Sequence, residues 1–181
     1  GLLLEEYLDD LITLGVDHVT VTINTIDPEI GAKIYPWVFY QGKRYKGVEA
    51  ASLLLQKQLL GIEKAVQKGL LIKANSVLIP GINDHHLPLV SQKLRELGVF
   101  LHNIMPLLSE PEFGTYFALN GVRSATDEEL SRVQEACGMD IRLMTHCRQC
   151  RADAVGLVGE DQSGEIHPEE YLPLSIEALK V

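Results

Sequence analysis

The chain has 181 residues, 46% of them hydrophobic and 23% charged, which suits one folded domain with a sizeable core and excludes a disordered chain. A formal net charge of −9 argues against nucleic acid as a partner, because such surfaces need a basic stripe to displace phosphate counterions. No apolar run reaches the roughly 18 residues of a membrane span and no basic-then-apolar leader opens the sequence, so the expectation is a cytoplasmic protein with no membrane partner.

Three cysteines, Cys137, Cys147 and Cys150, do not make the even, dispersed framework of a small secreted disulfide fold, and metal or redox use is the better expectation. Gly1 stands where an initiating Met would, and Leu2, Leu3 and Leu4 lead straight into helical spacing, so the sequence reads as part of a longer protein.

Leu4, Leu8, Leu11 and Ile12 recur at helical spacing and Gly15 supplies a helix stop. His18 to Thr25 alternates as a strand, with Val19, Val21 and Ile23 on one face and Thr20, Thr22 and Asn24 on the other. Asp27-Pro28 breaks this pattern, and a long loop carrying Pro36, Trp37, Tyr40 and Gly42, and running on to Gly47, is expected to follow, as a functional segment or a lid. Val48 to Lys68 reads as a long helix stopped by Gly69, and Leu70 to Ile79 as a second strand. After the Pro80-Gly81 turn, Asn83 or Asp84 is the expected cap of a helix with a Val90, Leu94 and Leu97 stripe, and Val99 to Met105 is a third strand. An irregular stretch from Pro106 to Arg123 precedes a capping box at Thr126 and Glu129, whose helix ends at Gly138. Ile141 to Thr145 is expected as a fourth strand delivering the chain into His146-Cys147-Arg148-Gln149-Cys150.

Strands alternating with helices predict an α/β fold with a parallel sheet. Four strands fall short of the eight or so of a closed barrel, so the chain reads as the second half of a full or partial (β/α) barrel. The expected organisation is a barrel portion over 1–162, carrying the C-x-x-C, and a polar tail over 163–181.

In such folds functional groups gather at the C-terminal strand ends. Thr22 and Asn24 lie near the end of the first strand on its polar face, and Asn75 lies in the second on the face of Lys73 and Val77. An amide that both donates and accepts suits a ribose or amino-acid moiety, although each of these residues could equally be a barrel-lining group satisfied by its neighbours. Cys147 and Cys150 suit an iron–sulfur cluster or zinc, with a redox dithiol as a further possibility. Two thiolates complete neither metal site; Cys137, His146 and His167 are candidate additional zinc ligands, without a familiar spacing. Cys137 fits a core role, His85 and His86 are expected at the surface, and His102 fits a satisfied core position better than a ligand.

Four runs, in order over residues 1 to about 162, carry a resemblance: VTVTINTIDPEIGAKIYPW, KANSVLIPGIND, HNIMPLLS and HCRQCRADAVGLVGED. Together they resemble the NifB family of radical S-adenosylmethionine (SAM) proteins of nitrogen fixation. The resemblance implies a radical SAM barrel with [4Fe–4S] clusters and SAM as cofactors. It implies a lyase-type cofactor maturase that fuses two [4Fe–4S] substrate clusters with a SAM-derived carbide into the eight-iron precursor of the FeMo cofactor. Carried over by position, Cys147 and Cys150 hold one substrate cluster, Thr22 and Asn24 contact the SAM amino-acid portion, and Asn75 faces the ribose. The radical-generating C-x-x-x-C-x-x-C loop does not occur in these 181 residues, so this stretch alone is expected to be inactive. Some relatives carry Cys at the place of Thr25, where a ligand of the other cluster would fall. Implied partners are an iron–sulfur cluster donor and the carrier or scaffold proteins of nitrogenase assembly. The rival readings are another radical SAM maturase acting on a peptide or small molecule, and a non-catalytic metal-binding scaffold built on the C-x-x-C.

Overall fold

The computed structural model describes residues 1–144, together with the backbone of an antiparallel pair at Gly156–Leu157 and Glu160–Asp161. Helix α1 (Leu4–Thr13) leads into strand β1 (His18–Thr22), helix α2 (Pro28–Ile34) and the strands β2 (Trp37–Tyr40) and β3 (Lys43–Lys46). Helix α3 (Gly47–Gln67), β4 (Leu71–Leu78), α4 (Leu87–Glu96) and β5 (Leu101–Pro106) follow, then the short α5 (Tyr116–Leu119) and α6 (Asp127–Gly138). Strands β1, β4 and β5 form a parallel sheet in that order, with α3 and α4 as the crossovers. This is the α/β architecture that the alternating pattern predicts.

Side-chain alternation gives the sheet two different faces. Val21 of β1 and Ile23 just beyond it, Ile72, Ala74 and Leu78 on β4, and Ile104 on β5 pack with Leu8 of α1, Ile62 and Ala65 of α3, Leu87, Val90 and Leu94 of α4, and Cys137 of α6. Full burial of each large aliphatic chain contributes about 1.5–3 kcal/mol relative to exposure, so this helix-covered face dominates the stability. The opposite parity, including Thr20, Thr22, Lys73, Asn75, Val77, Asn103 and Met105, lies on the other face, which is the inner face of a (β/α) barrel.

A buried polar chain crosses the helix-covered face. His102 is fully buried, its Nε2 lies 2.8 Å from Ser76 Oγ and its Nδ1 2.8 Å from Ser91 Oγ on α4. Ser76 donates its single proton to the carbonyl oxygen of Ile23. His102 Nε2–H must therefore donate to Ser76, leaving Nδ1 to accept from Ser91, which fixes the neutral tautomer. Burial lowers the His102 pKa to about 4. His102 thus occupies the satisfied core position that its pattern suggests. Cys137 packs against Ser91, and burial pushes its thiol pKa up.

The structure departs from the sequence reading in five places. The expected loop after Asp27 opens with α2, whose cap is the Asp27 side chain accepting from Glu29 N at 2.7 Å with Pro28 at the first helical position. The Pro36–Gly47 stretch is a β2–β3 hairpin rather than an irregular loop; Gln41 and Gly42 have φ of 49° and 77°, the paired left-handed residues of a type I′ turn. Neither Asn83 nor Asp84 caps α4, because α4 begins at Leu87 with His86 before it and no side-chain cap. His86 is buried rather than superficial, accepting from Ile26 N at Nε2, whereas His85 is exposed as expected. Of the expected fourth strand, the described residues show one parallel bridge, His102 with Leu143, flanked by bonds from His102 N to Arg142 O and from Met144 N to His102 O, and Thr145 lies outside them.

The capping box is present in full, with Thr126 Oγ1 accepting from Glu129 N and Glu129 Oε2 accepting from Thr126 N. Among the described residues no helix is long and apolar enough to cross a membrane.

Candidate functional site

Parallel register brings three separate parts of the sequence into one row. Thr22 pairs with Asn75, and Asn75 pairs with Asn103, so the three side chains line up across β1, β4 and β5 on the inner face. Below them run Thr20, Lys73 and Leu101, and above them Val77 faces Met105. The row joins the C-terminal end of β1 to the middle of β4 and β5, leading toward the strand ends where (β/α) folds assemble their sites.

Within the row, Thr22 is exposed while Asn75 is 6% and Asn103 2% exposed. Asn103 Nδ2 donates to Asn75 Oδ1 at 3.2 Å. The Asn103 Oδ1 acceptor is buried without a hydrogen-bond partner. Leaving such a group unpaired costs about 1–3 kcal/mol, so its presence beside a second amide marks a place where a ligand can supply a donor. Asn103 belongs to the HNIMPLLS run, but residue type alone does not distinguish it from an ordinary strand asparagine.

Asn24 lies just beyond β1 and is partly committed to structure. Its Oδ1 accepts from Val77 N at 2.9 Å, and its backbone carbonyl accepts from Asn83 Nδ2 at 2.8 Å. Its side-chain amide faces the Tyr35 hydroxyl without hydrogen-bond geometry, and burial raises the Tyr35 pKa. Thr25, fully buried, accepts from Asp27 N through Oγ1 at 2.9 Å, so it shapes the turn into α2.

Two amides therefore anchor the rim. Asn83, fully buried, accepts from Ile79 N at 2.8 Å and donates to Asn24 O and Val77 O, tying the end of β1 to the loop after β4. From the helix layer, Gln58 Nε2 donates to Thr22 O at 2.7 Å.

Of the five candidate site residues, the structure places Thr22 and Asn24 at the end of β1 and Asn75 beside Thr22 in the middle of β4. Cys147 and Cys150 lie outside the described residues, as do His146 and His167. Among the described residues, no group of three or more His, Cys, Asp or Glu is placed to hold a metal ion.

Comparison with known proteins bears on this geometry. No family model matches the chain. The chain is 58% identical over 165 residues to the FeMo cofactor biosynthesis protein NifB of Rhodobacter capsulatus, covering 91% of this chain and 36% of that protein. It is 54% identical over 176 residues to the NifB of Bradyrhizobium diazoefficiens, covering 97% of this chain and 35% of that one. With the NifB of Herbaspirillum seropedicae, identity is 52% over all 181 residues, or 34% of that relative. The chain belongs to the NifB family.

It spans about a third of the length of these NifB relatives. Among solved structures, a domain of pyruvate-formate lyase-activating enzyme from Bacteroides vulgatus shares the fold, with a TM-score of 0.51 over 74% of this chain and 70% of that one at 11% identity. At that identity the likeness concerns the fold alone.

Proposed function

We propose that this NifB-family chain forms the SAM-binding and substrate-cluster-binding part of a radical SAM enzyme of FeMo cofactor biosynthesis. The whole enzyme would fuse two [4Fe–4S] substrate clusters with a carbide from SAM into the eight-iron precursor, a lyase-type maturation in the cytoplasm. Residues 1–162 would contribute the barrel portion and the C-x-x-C, and 163–181 a polar tail. The observation that carries this reading is the inner-face row Thr22, Asn75 and Asn103, with its unpaired buried acceptor, in a chain 52–58% identical to three NifB relatives.

The residues present fit the proposed cofactor. Two adjacent amides and a threonine hydroxyl offer the mixed donors and acceptors that a nucleoside and an amino acid require. Thr22 and the free amide of Asn24 would meet the amino-acid portion of SAM, and Asn75 the ribose. The apolar group of Ile30, Ile34, Ile79 and Leu107, which packs with Val77 and Tyr35, would border the site on the Val77 side and limit access of water. When bound with its cluster, SAM supplies a carbon-centred radical. The part of this chain is to orient the nucleoside, hold the strand ends through Asn83 and present the Cys147 and Cys150 thiolates to one substrate cluster. A cluster donor would deliver the substrate clusters, and a carrier protein would receive the product.

The experiment is product-cluster formation by the complete protein with Cys147→Ala. Loss of the eight-iron product with SAM binding retained supports the reading, and unchanged output removes Cys147 from it. If the complete protein retains metal but never binds SAM, the scaffold reading replaces it.

A further inference from the structure

We propose that the β2–β3 hairpin is a docking surface for a protein partner that presents acidic side chains around an apolar contact; the inference stands on the hairpin itself and is independent of the SAM-binding reading above. The two faces of the hairpin differ. Val38 and Tyr40 are buried and pack with Ala50, Leu53 and Leu54 of α3, the Tyr40 hydroxyl donates to Glu6 of α1, and Lys57 Nζ lies 5.3 Å from the Tyr40 ring centroid. This inner face fixes the hairpin to the helix layer. The outer face carries Trp37 and Phe39, 48% and 58% exposed, in register with Lys46 and Arg44 of β3.

The Arg44 guanidinium lies 4.6 Å from the Trp37 ring centroid while its backbone pairs with Phe39, so one cation serves both rings. Stacking uses the flat face of the guanidinium and leaves its N–H fork for a carboxylate. Among the described residues neither Arg44 nor Lys46 has an ion-pair partner, and Lys43 meets Glu49 at 3.8 Å with both side chains exposed. Between Glu29 and Glu49 the sequence carries Lys33, Lys43, Arg44 and Lys46 and no acidic residue, in a chain of net charge −9. The hairpin therefore reverses the sign of the surrounding charge and joins it to two exposed aromatic rings, the combination in which binding energy concentrates at protein interfaces.

The charge selects the occupant. An extended anionic surface, such as a membrane or nucleic acid, would also meet the rest of an acidic chain. A protein segment confined to the hairpin meets its cations alone, because screening limits other charges to about 8 Å at physiological salt. A two-fold pairing of this face with itself would set Lys43, Arg44 and Lys46 against their own copies, which is repulsive.

The test measures binding of a fluorescently labelled peptide that alternates glutamate with leucine, and of its glutamine counterpart, to the complete protein as wild type, Trp37→Ala, Arg44→Glu and Arg95→Glu. Wild type is expected to bind the acidic peptide with an affinity that falls as salt rises, and the glutamine peptide at least about tenfold more weakly. Trp37→Ala and Arg44→Glu are each expected to lose about tenfold with little change in unfolding temperature, since both side chains are exposed, whereas Arg95→Glu on α4 changes affinity less than about threefold. If Trp37→Ala does not fold, Phe39→Ala replaces it. Absence of binding, equal binding of the two peptides, or losses no larger than that of Arg95→Glu overturn the proposal. So does tighter binding to phosphatidylglycerol vesicles that Arg44→Glu abolishes, which would make the hairpin a membrane contact. A dimer that dissociates in Trp37→Ala, read by light scattering, would overturn it by assigning the face to a second copy.

Discussion

Asn83 Nδ2 donates to the carbonyl oxygen of Asn24 at 2.8 Å, joining segments 59 positions apart at the rim of the candidate site. The same side chain holds Val77 O and Ile79 N, so one fully buried amide fixes the ends of β1 and β4 relative to each other.

Asn83→Ala leaves three buried backbone groups without partners. At about 1–3 kcal/mol for a buried group left unsatisfied, partly relieved by water, the expected loss of stability is about 3 kcal/mol. Denaturant unfolding of the complete protein measures it. A loss below about 1 kcal/mol would mean that water or a neighbouring amide replaces Asn83.

The buried His102 gives stability a defined pH dependence. Its folded pKa of about 4 lies below the unfolded value of 6.5, so the unfolded chain binds the extra proton first as pH falls. The stabilisation is complete above about pH 6.5 and is lost progressively toward pH 4, amounting to roughly 3 kcal/mol over the window. His86 shifts in the same direction, again chiefly through burial. Glu129, held at a pKa of about 2 by Arg123 and then by the Thr126 backbone, acts lower, between 4.5 and 2. Between pH 6.5 and 5, His102→Gln should therefore flatten the loss of stability while lowering stability at pH 7. Unfolding free energies across that range check both, and an unchanged slope would contradict the neutral buried histidine.

Helices α2 and α3 meet through Gly31. A Cβ there would lie 2.8 Å from Ala51 Cβ, and Ala51 is fully buried. Alanine would gain about 1 kcal/mol of helix propensity but costs about 1–3 kcal/mol in overpacking. Gly31→Ala is expected to destabilise by about 1 kcal/mol, read from the denaturation midpoint, and a gain in stability would show that α2 shifts freely.

The α6 capping box makes a smaller prediction. Thr126→Ala removes the side-chain acceptor of Glu129 N at 3.2 Å and should cost about 1 kcal/mol. Thr126→Ser should recover most of it in the same unfolding measurement.

The helices and main strands were legible because their signals are periodic. Gly15, Gly69 and Gly98 each follow a helix and have positive φ, and the alternation of Val19 to Asn24 separates the two faces. What escaped depends on contacts between distant residues. Gln41-Gly42 lacks the asparagine or aspartate that usually announces a type I′ turn, so the hairpin was hidden. Asn83 has the residue type of a helix cap, but its partners are Val77 on β4, Ile79 just after it and Asn24, which spacing cannot show. His86 reads as polar surface until Ile26 N is brought against it. Asn103 resembles any strand asparagine until register sets it beside Asn75. The expected fourth strand shows, among the described residues, the single bridge of Leu143 to His102, and Thr145 at its end lies outside them.

The measurement that bears most directly on the proposed function is iron and sulfide content with electron paramagnetic resonance on the complete, anaerobically reconstituted protein, comparing wild type with Cys147→Ala/Cys150→Ala. A NifB-type cluster-fusing enzyme should lose about four irons in the variant while the signal of the radical-generating cluster persists. Unchanged iron would contradict a substrate cluster at these cysteines and move both to a structural or redox role.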